Sequence, residues 1–199
     1  MTDTALLVID VQTDFCPGGA LAVAGGDEIV PGINALMDSF DAVVLTQDWH
    51  PPGHSSFASE HPGKAPMEVI DMPYGPQVLW PDHCVQGSEG AGFHPDLRID
   101  PANLIIRKGF RRAIDSYSAF FENDHVTPTG LEGYLRSRGL SKLVCVGLAT
   151  DFCVNYSAVD AARLGFDVEV RTDLCRGIDL GRSLAAALQG MGQAGVTLA

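Results

Sequence analysis

Apolar residues fall along this chain in short unbroken runs, separated by stretches with helical spacing. Residues 5–9, 42–46, 104–106 and 143–148 are almost wholly apolar. Runs of that length without alternation predict strands buried on both faces. Residues 168–170 and 196–198 predict two further short strands. Between them, residues 27–40 place Ile29, Ile33, Leu36, Met37 and Phe40 at helical intervals, behind the acidic pair Asp27 and Glu28. Residues 130–138 predict a second helix, closed by Gly139. A third is expected from about 153 to 164, before Gly165, and a fourth over 179–189. Strands that alternate with helices, and that are apolar throughout, predict an α/β protein built on a parallel sheet.

Residues 47–100 break the pattern. They are dense in Pro, Gly and His and hold no sustained period. So long an irregular stretch in a compact domain is usually functional or disordered, and its aromatics and histidines favour function. The length of 199 residues suits a single domain, here 1–199, with that loop region inside it. A hydrophobic share of 46% against 19% charged excludes a disordered chain. The formal charge of −12 disfavours nucleic acid and anionic membrane as partners. Five cysteines, an odd number without a Cys-x-x-Cys, argue against a disulfide framework and a thiolate zinc site. No basic leader and no membrane-length apolar run is visible, so the cytoplasm is the expected compartment.

Parallel sheets bind ligands beyond the C-terminal ends of their strands. Asp10, Asp48, Lys108 and Cys153 each stand just past such an end. Cys153 also opens a predicted helix. There the dipole lowers a thiol's pKa, and unpaired N–H groups can receive an oxyanion. A lone cytosolic cysteine is more often plain packing; its company makes this one a candidate nucleophile. Asp10 could act as its base if desolvated, with Lys108 offsetting the negative charge. A buried structural ion pair accounts for those two residues equally well. Asp48 and His50, two apart in Asp48-Trp49-His50, can point the same way, with His54 nearby and His83 in Trp80-Pro81-Asp82-His83-Cys84. Mixed carboxylate and imidazole ligands suit zinc, iron or manganese. Phe15 and Trp80 could flank a flat ring, although each is also a plausible core residue; Trp49 reads as core. Arg111 and Arg112 read as a solvated rim.

The segments Val8-Ile9-Asp10-Val11-Gln12-Thr13-Asp14-Phe15, Gln47-Asp48-Trp49-His50-Pro51, Trp80-Pro81-Asp82-His83-Cys84-Val85-Gln86-Gly87, Arg107-Lys108-Gly109 and Gly147-Leu148-Ala149-Thr150-Asp151-Phe152-Cys153-Val154 run in order along nearly the whole chain. Together they resemble the nicotinamidase/pyrazinamidase group of the isochorismatase-like cysteine hydrolases. The resemblance implies a Rossmann-like parallel sheet with helices on both faces. It implies a catalytic triad of Asp10, Lys108 and Cys153, and one divalent transition metal on Asp48, His50 and His83. It implies an oxyanion hole from the N–H groups of Ala149 and Cys153, shaped by a cis Leu148–Ala149 bond. The implied reaction is hydrolysis of nicotinamide to nicotinate and ammonia through a cysteine thioester, with pyrazinamide as a second substrate. His54 stands where some members carry a further ligand, and is left outside the metal set. Related amidohydrolases on carbamoyl or ureido compounds, and an inactive binding module, are the rival expectations. A homo-oligomer is compatible with all of these.

Overall fold

The computed structural model describes residues 3–199. Six strands form one parallel sheet in the order β5-β2-β1-β6-β7-β8, with β1 Thr4–Ile9, β2 Val43–Asp48, β5 Leu104–Lys108, β6 Lys142–Leu148, β7 Asp167–Arg176 and β8 Thr197–Leu198. The remaining two, β3 Val69–Met72 and β4 Gly75–Val78, pair antiparallel as a separate hairpin. The helices are α1 Val30–Met37, α2 Leu131–Ser137, α3 Asn155–Arg163 and α4 Ser183–Gln193. Among the described residues no helix is long and apolar enough to cross a membrane.

Burial follows the apolar runs. β1, β2 and β6 are buried along almost their whole length, because strands lie beside them and layers cover both faces. β5 is an edge strand and alternates instead, leaving Ile105 exposed. The chain leaves β1 toward β2 but leaves β6 in the opposite direction, toward β7. With right-handed crossovers, that reversal puts α1 on one face and α3 and α4 on the other. It also opens a crevice between the C-terminal ends of β1 and β6, where open α/β sheets take their ligands. The two strands meet closely there: a Cβ on Gly147, at φ +119°, would lie 2.1 Å from the Ile9 carbonyl oxygen.

β7 runs on to Arg176, well past the expected 170, and three other differences have a local reason. α1 begins at Val30 rather than at 27, because Pro31 fits only the first turn of a helix. α4 begins at Ser183 because Asp179, Gly181 and Arg182 are all left-handed, and it runs on through Gly190 and Gly192 because Met191 is buried against the core. The β3–β4 hairpin lay unseen in the irregular region, its alternation obscured by Pro73, Gly75 and Pro76.

Candidate active site and metal centre

The ends of β1, β2 and β5 bring Asp10, Asp48 and Lys108 together, and β6 leads through a cis Leu148–Ala149 peptide into Cys153. Asp10 follows the last residue of β1 at φ +49°, a left-handed conformation that side chains rarely adopt. Its N–H donates to Thr46 Oγ1 (3.1 Å), and the same hydroxyl donates to Asp10 Oδ1 (2.5 Å). Oδ2 lies 2.8 Å from Lys108 Nζ but holds no in-line hydrogen bond, so a lone pair is left for a proton.

Lys108 is fully buried, and four partners surround its ammonium. They are Asp10, Asp48 Oδ1 (3.1 Å), the Ser116 carbonyl (2.9 Å) and Cys153 Sγ (3.5 Å). Burial pulls its pKa down, but Asp10 and Asp48 outweigh that and hold it well above the usual lysine value. It is therefore a permanent cation linking the thiol half of the site to the Asp48 half.

Asp10 moves the other way: burial raises its pKa, more than Lys108 lowers it. Burial also pushes the Cys153 thiol well up, against the attraction of Lys108. This corrects the expectation of a depressed thiol pKa. Cys153 does stand in the first turn of a helix, a π-helical turn at Thr150–Val154 that continues into α3, but burial, joined by the negative charges of Asp10 and Asp48, raises its pKa there. The resting thiol keeps its proton, so it needs a base rather than supplying its own thiolate.

The second half of the site centres on Asp48 Oδ2. His50 Nε2 lies 3.0 Å from it and His83 Nε2 3.6 Å. His50 Nδ1 donates to the Gly109 carbonyl (2.9 Å) and His83 Nδ1 to the Pro81 carbonyl (2.8 Å). Each ring is thus fixed by its far nitrogen and presents the near one inward, as metal-binding histidines are held. Burial raises the Asp48 pKa, yet His50 and Lys108 hold it well below the carboxylate range, so it stays ionised. Two imidazoles and a carboxylate, all buried with ligand atoms within 4.8 Å of one another, fit a divalent transition metal. Gly109 leaves the room, since a Cβ on it would lie 2.5 Å from His50 Cε1 and 2.8 Å from Asp48 Oδ1.

His54 lies outside that set, although with His50 and Asp115 it forms a second buried group whose ligand atoms are within 4.8 Å of one another. Its Nε2 faces the carbonyls of Arg111 and Ile114 (3.1 Å each), and its Nδ1 accepts from Ser56 Oγ (2.8 Å). Both ring nitrogens are engaged, and burial with neighbouring His50 lowers its pKa. It packs against the His50 ring at 4.2 Å between centroids as a structural support. Arg111 and Arg112 are also more than a solvated rim. Arg111 pairs with buried Glu122, and Arg112 donates to the Gly53 carbonyl (2.8 Å). Trp49 is packed against the core beneath Arg107, as expected.

One narrow pocket joins the two halves. Cys153, Asp48 and His83 line it together with Phe15, Leu21, Trp80, Tyr117, Phe152 and others. A larger groove between α3 and α4, about 770 Å³, holds no cysteine, and volume therefore does not locate the chemistry.

Phe15 and Trp80 were legible in the sequence as pocket walls; Tyr117, Phe152 and Ile178 were not. Nor were two supports. Gln12 clamps Asp48 by its backbone, accepting from the N–H (2.7 Å) and donating to the carbonyl (2.9 Å). Gln77, on the hairpin, donates to Asp115 Oδ2 and to the Tyr117 hydroxyl (2.9 Å each); that hydroxyl also accepts from Trp80 Nε1 (3.2 Å). Gln12 stood inside a motif two residues past Asp10, which was the available signal. Gln77 carried none.

Residues 4–199 match the isochorismatase domain family. The chain is 57% identical to the nicotinamidase of Acinetobacter baylyi over 96% of its own length and 90% of that protein's. A solved Acinetobacter baumanii nicotinamidase/pyrazinamidase superposes with a TM-score of 0.98 at 57% identity, covering 100% of this chain and 96% of that one. The zinc-bound pyrazinamidase of Pyrococcus horikoshii superposes with a TM-score of 0.80 at 34% identity, covering 100% and 99%.

Proposed function

The chain belongs to the isochorismatase family, and from that premise we propose that it is a nicotinamidase, hydrolysing nicotinamide to nicotinate and ammonia in NAD salvage, with pyrazinamide as a second substrate. The observation that carries this reading is the shared pocket. A thiol and a metal-competent pair, Asp48 and His83, face one narrow slot walled by aromatic rings. Such a slot suits a flat ring with an amide at one end and a lone pair at the other.

Asp10 Oδ2 takes the thiol proton, its raised pKa making it a better base than an ordinary aspartate. Cys153 Sγ attacks the carboxamide carbon. The N–H groups of Ala149 and Cys153 receive the oxyanion, and the Lys108 ammonium steadies the negative charge around it. Asp10 returns its proton to the departing ammonia, leaving a thioester. Water, deprotonated by the same carboxylate, then attacks the thioester carbon and releases nicotinate and the thiol. A divalent transition metal on Asp48, His50 and His83 would supply a Lewis-acid contact for the ring nitrogen. Phe15 and Trp80 stack on the ring and exclude water.

Rival amidohydrolases on carbamoyl or ureido substrates would need the same triad but have no use for a ring-nitrogen site. An inactive binding module would have no use for a buried carboxylate and a thiol gathered on one lysine. All five cysteines are unpaired, which supports a reducing, cytoplasmic setting. Ammonia release from nicotinamide, with metal analysis of the same sample, tests the proposal. Turnover with stoichiometric metal is expected, and metal-loaded protein that releases no ammonia would refute it.

A further inference from the structure

The turn that carries Cys153 also carries Asp151, buried, outside the lining of the narrow pocket and on the wall of the larger groove between α3 and α4. Among the described residues Asp151 forms no ion pair. Its oxygens are engaged by one neighbouring segment. Oδ1 accepts the Ile178 N–H (2.9 Å), and Oδ2 accepts the Asp179 N–H (2.8 Å) and the Ser183 hydroxyl. Three donors and no acceptor call for a carboxylate rather than an amide. The segment needs such an anchor. β7 ends at Arg176, and the backbone then passes through left-handed Asp179, Gly181 and Arg182 before α4 begins, with no sheet ladder to hold it. It also runs close to the carboxylate: a Cβ on Gly177 would lie 3.2 Å from Asp151 Oδ1. Within this segment the residue that reaches the substrate pocket is Ile178, which shares the lining with Phe15, Leu21 and Trp80.

We propose that Asp151 is a positioning residue that clasps the 177–183 segment and so holds Ile178 as a wall of the substrate pocket. The inference rests on the nicotinamidase reading for its substrate, but not for the clasp itself. Asp151 touches no reacting atom, and its effect is on how firmly the ring is gripped. That grip is the same before and during reaction, so its loss appears in KM more than in kcat.

The test is steady-state kinetics of Asp151→Asn with nicotinamide and 5-methylnicotinamide, together with amide exchange at Ile178 and Asp179. The amide nitrogen of Asn would face a donor, leaving one buried donor unpartnered, so KM for nicotinamide should rise about tenfold. kcat should stay within about threefold of wild type. The two amides should exchange faster, and 5-methylnicotinamide should gain relative to nicotinamide as the wall loosens. A fall in kcat with KM unchanged would overturn the proposal, because it would place Asp151's role at the Cys153 turn. Unchanged kinetics and exchange would overturn it as well. If Asp151→Asn does not fold, Ser183→Ala and Ile178→Ala decide. Both should raise KM for nicotinamide, the first by less, and unchanged KM in both overturns the proposal. Wild-type protein that leaves nicotinamide intact would refute the proposed function instead, with amide exchange still reporting on the clasp.

Discussion

The two halves of the site are placed by different means. Asp10, Asp48 and Lys108 stand at the ends of parallel strands, in register with their neighbours: Asp48 lies opposite Lys108, and Ile9 opposite Gly147. The sheet's backbone ladder puts them there. His50, His83, Trp80 and Tyr117 lie in irregular chain, where side chains do the placing. Gln12 holds the Asp48 backbone, His54 supports His50, and Gln77 ties Tyr117. The strand ends carry the candidate base, its lysine and the Asp48 carboxylate, and the loops carry the imidazoles and rings gathered around that carboxylate. Rigid ladder geometry suits a proton transfer that tolerates little misplacement. Loops can vary to fit a substrate without disturbing it.

Substitutions should separate the two halves. The largest loss is expected from Cys153→Ala, which removes the attacking atom. Ammonia release should fall by about four orders of magnitude or more, with thermal unfolding unchanged. Cys145→Ala, buried in β6 away from the pocket, should keep activity, and substantial turnover by the Cys153 variant would break the covalent scheme.

Next come the loops. His83→Ala should lower bound metal and cut nicotinamide hydrolysis about a hundredfold, and Gln12→Leu should weaken metal retention about tenfold through Asp48. Chelation of the wild type should mimic His83→Ala and reverse when metal is returned. Metal content unchanged in both variants would erase the contrast between the halves.

The smallest effect concerns pH. Asp10 must be ionised to accept the thiol proton, and burial raises its pKa. Activity is therefore complete above that raised pKa and is lost as pH falls through it, at a higher pH than for an exposed aspartate. The Thr46 hydroxyl favours the ionised form, so Thr46→Val should move the acid limb of the kcat/KM profile to higher pH. A limb that stays in place would assign the ionisation to another group.

The same division explains what could be read from the chain. Strand ends were legible because burial on both faces writes an unbroken apolar run, and Asp10, Asp48, Lys108 and Cys153 mark where each leads. Asp48, His50 and His83 stood out by residue type and motif. Gln77, Tyr117 and Ile178 did not, because their roles depend on how a hairpin and a post-strand segment fold back over the sheet. The Cys153 thiol shows a further limit. Its place at a helix start was readable, but its burial was not, and burial decides the direction of its pKa.

The central claim is that one half of the site breaks the amide while the other holds the ring nitrogen. Turnover of nicotinamide and benzamide by one metal-analysed preparation, before and after chelation, tests it most directly. Benzamide keeps the amide and the flat ring but has no nitrogen to hold. The account predicts that nicotinamide is far the better substrate while metal is bound, and that chelation removes most of that preference. Equal rates for the two amides on the metal-loaded protein would contradict it.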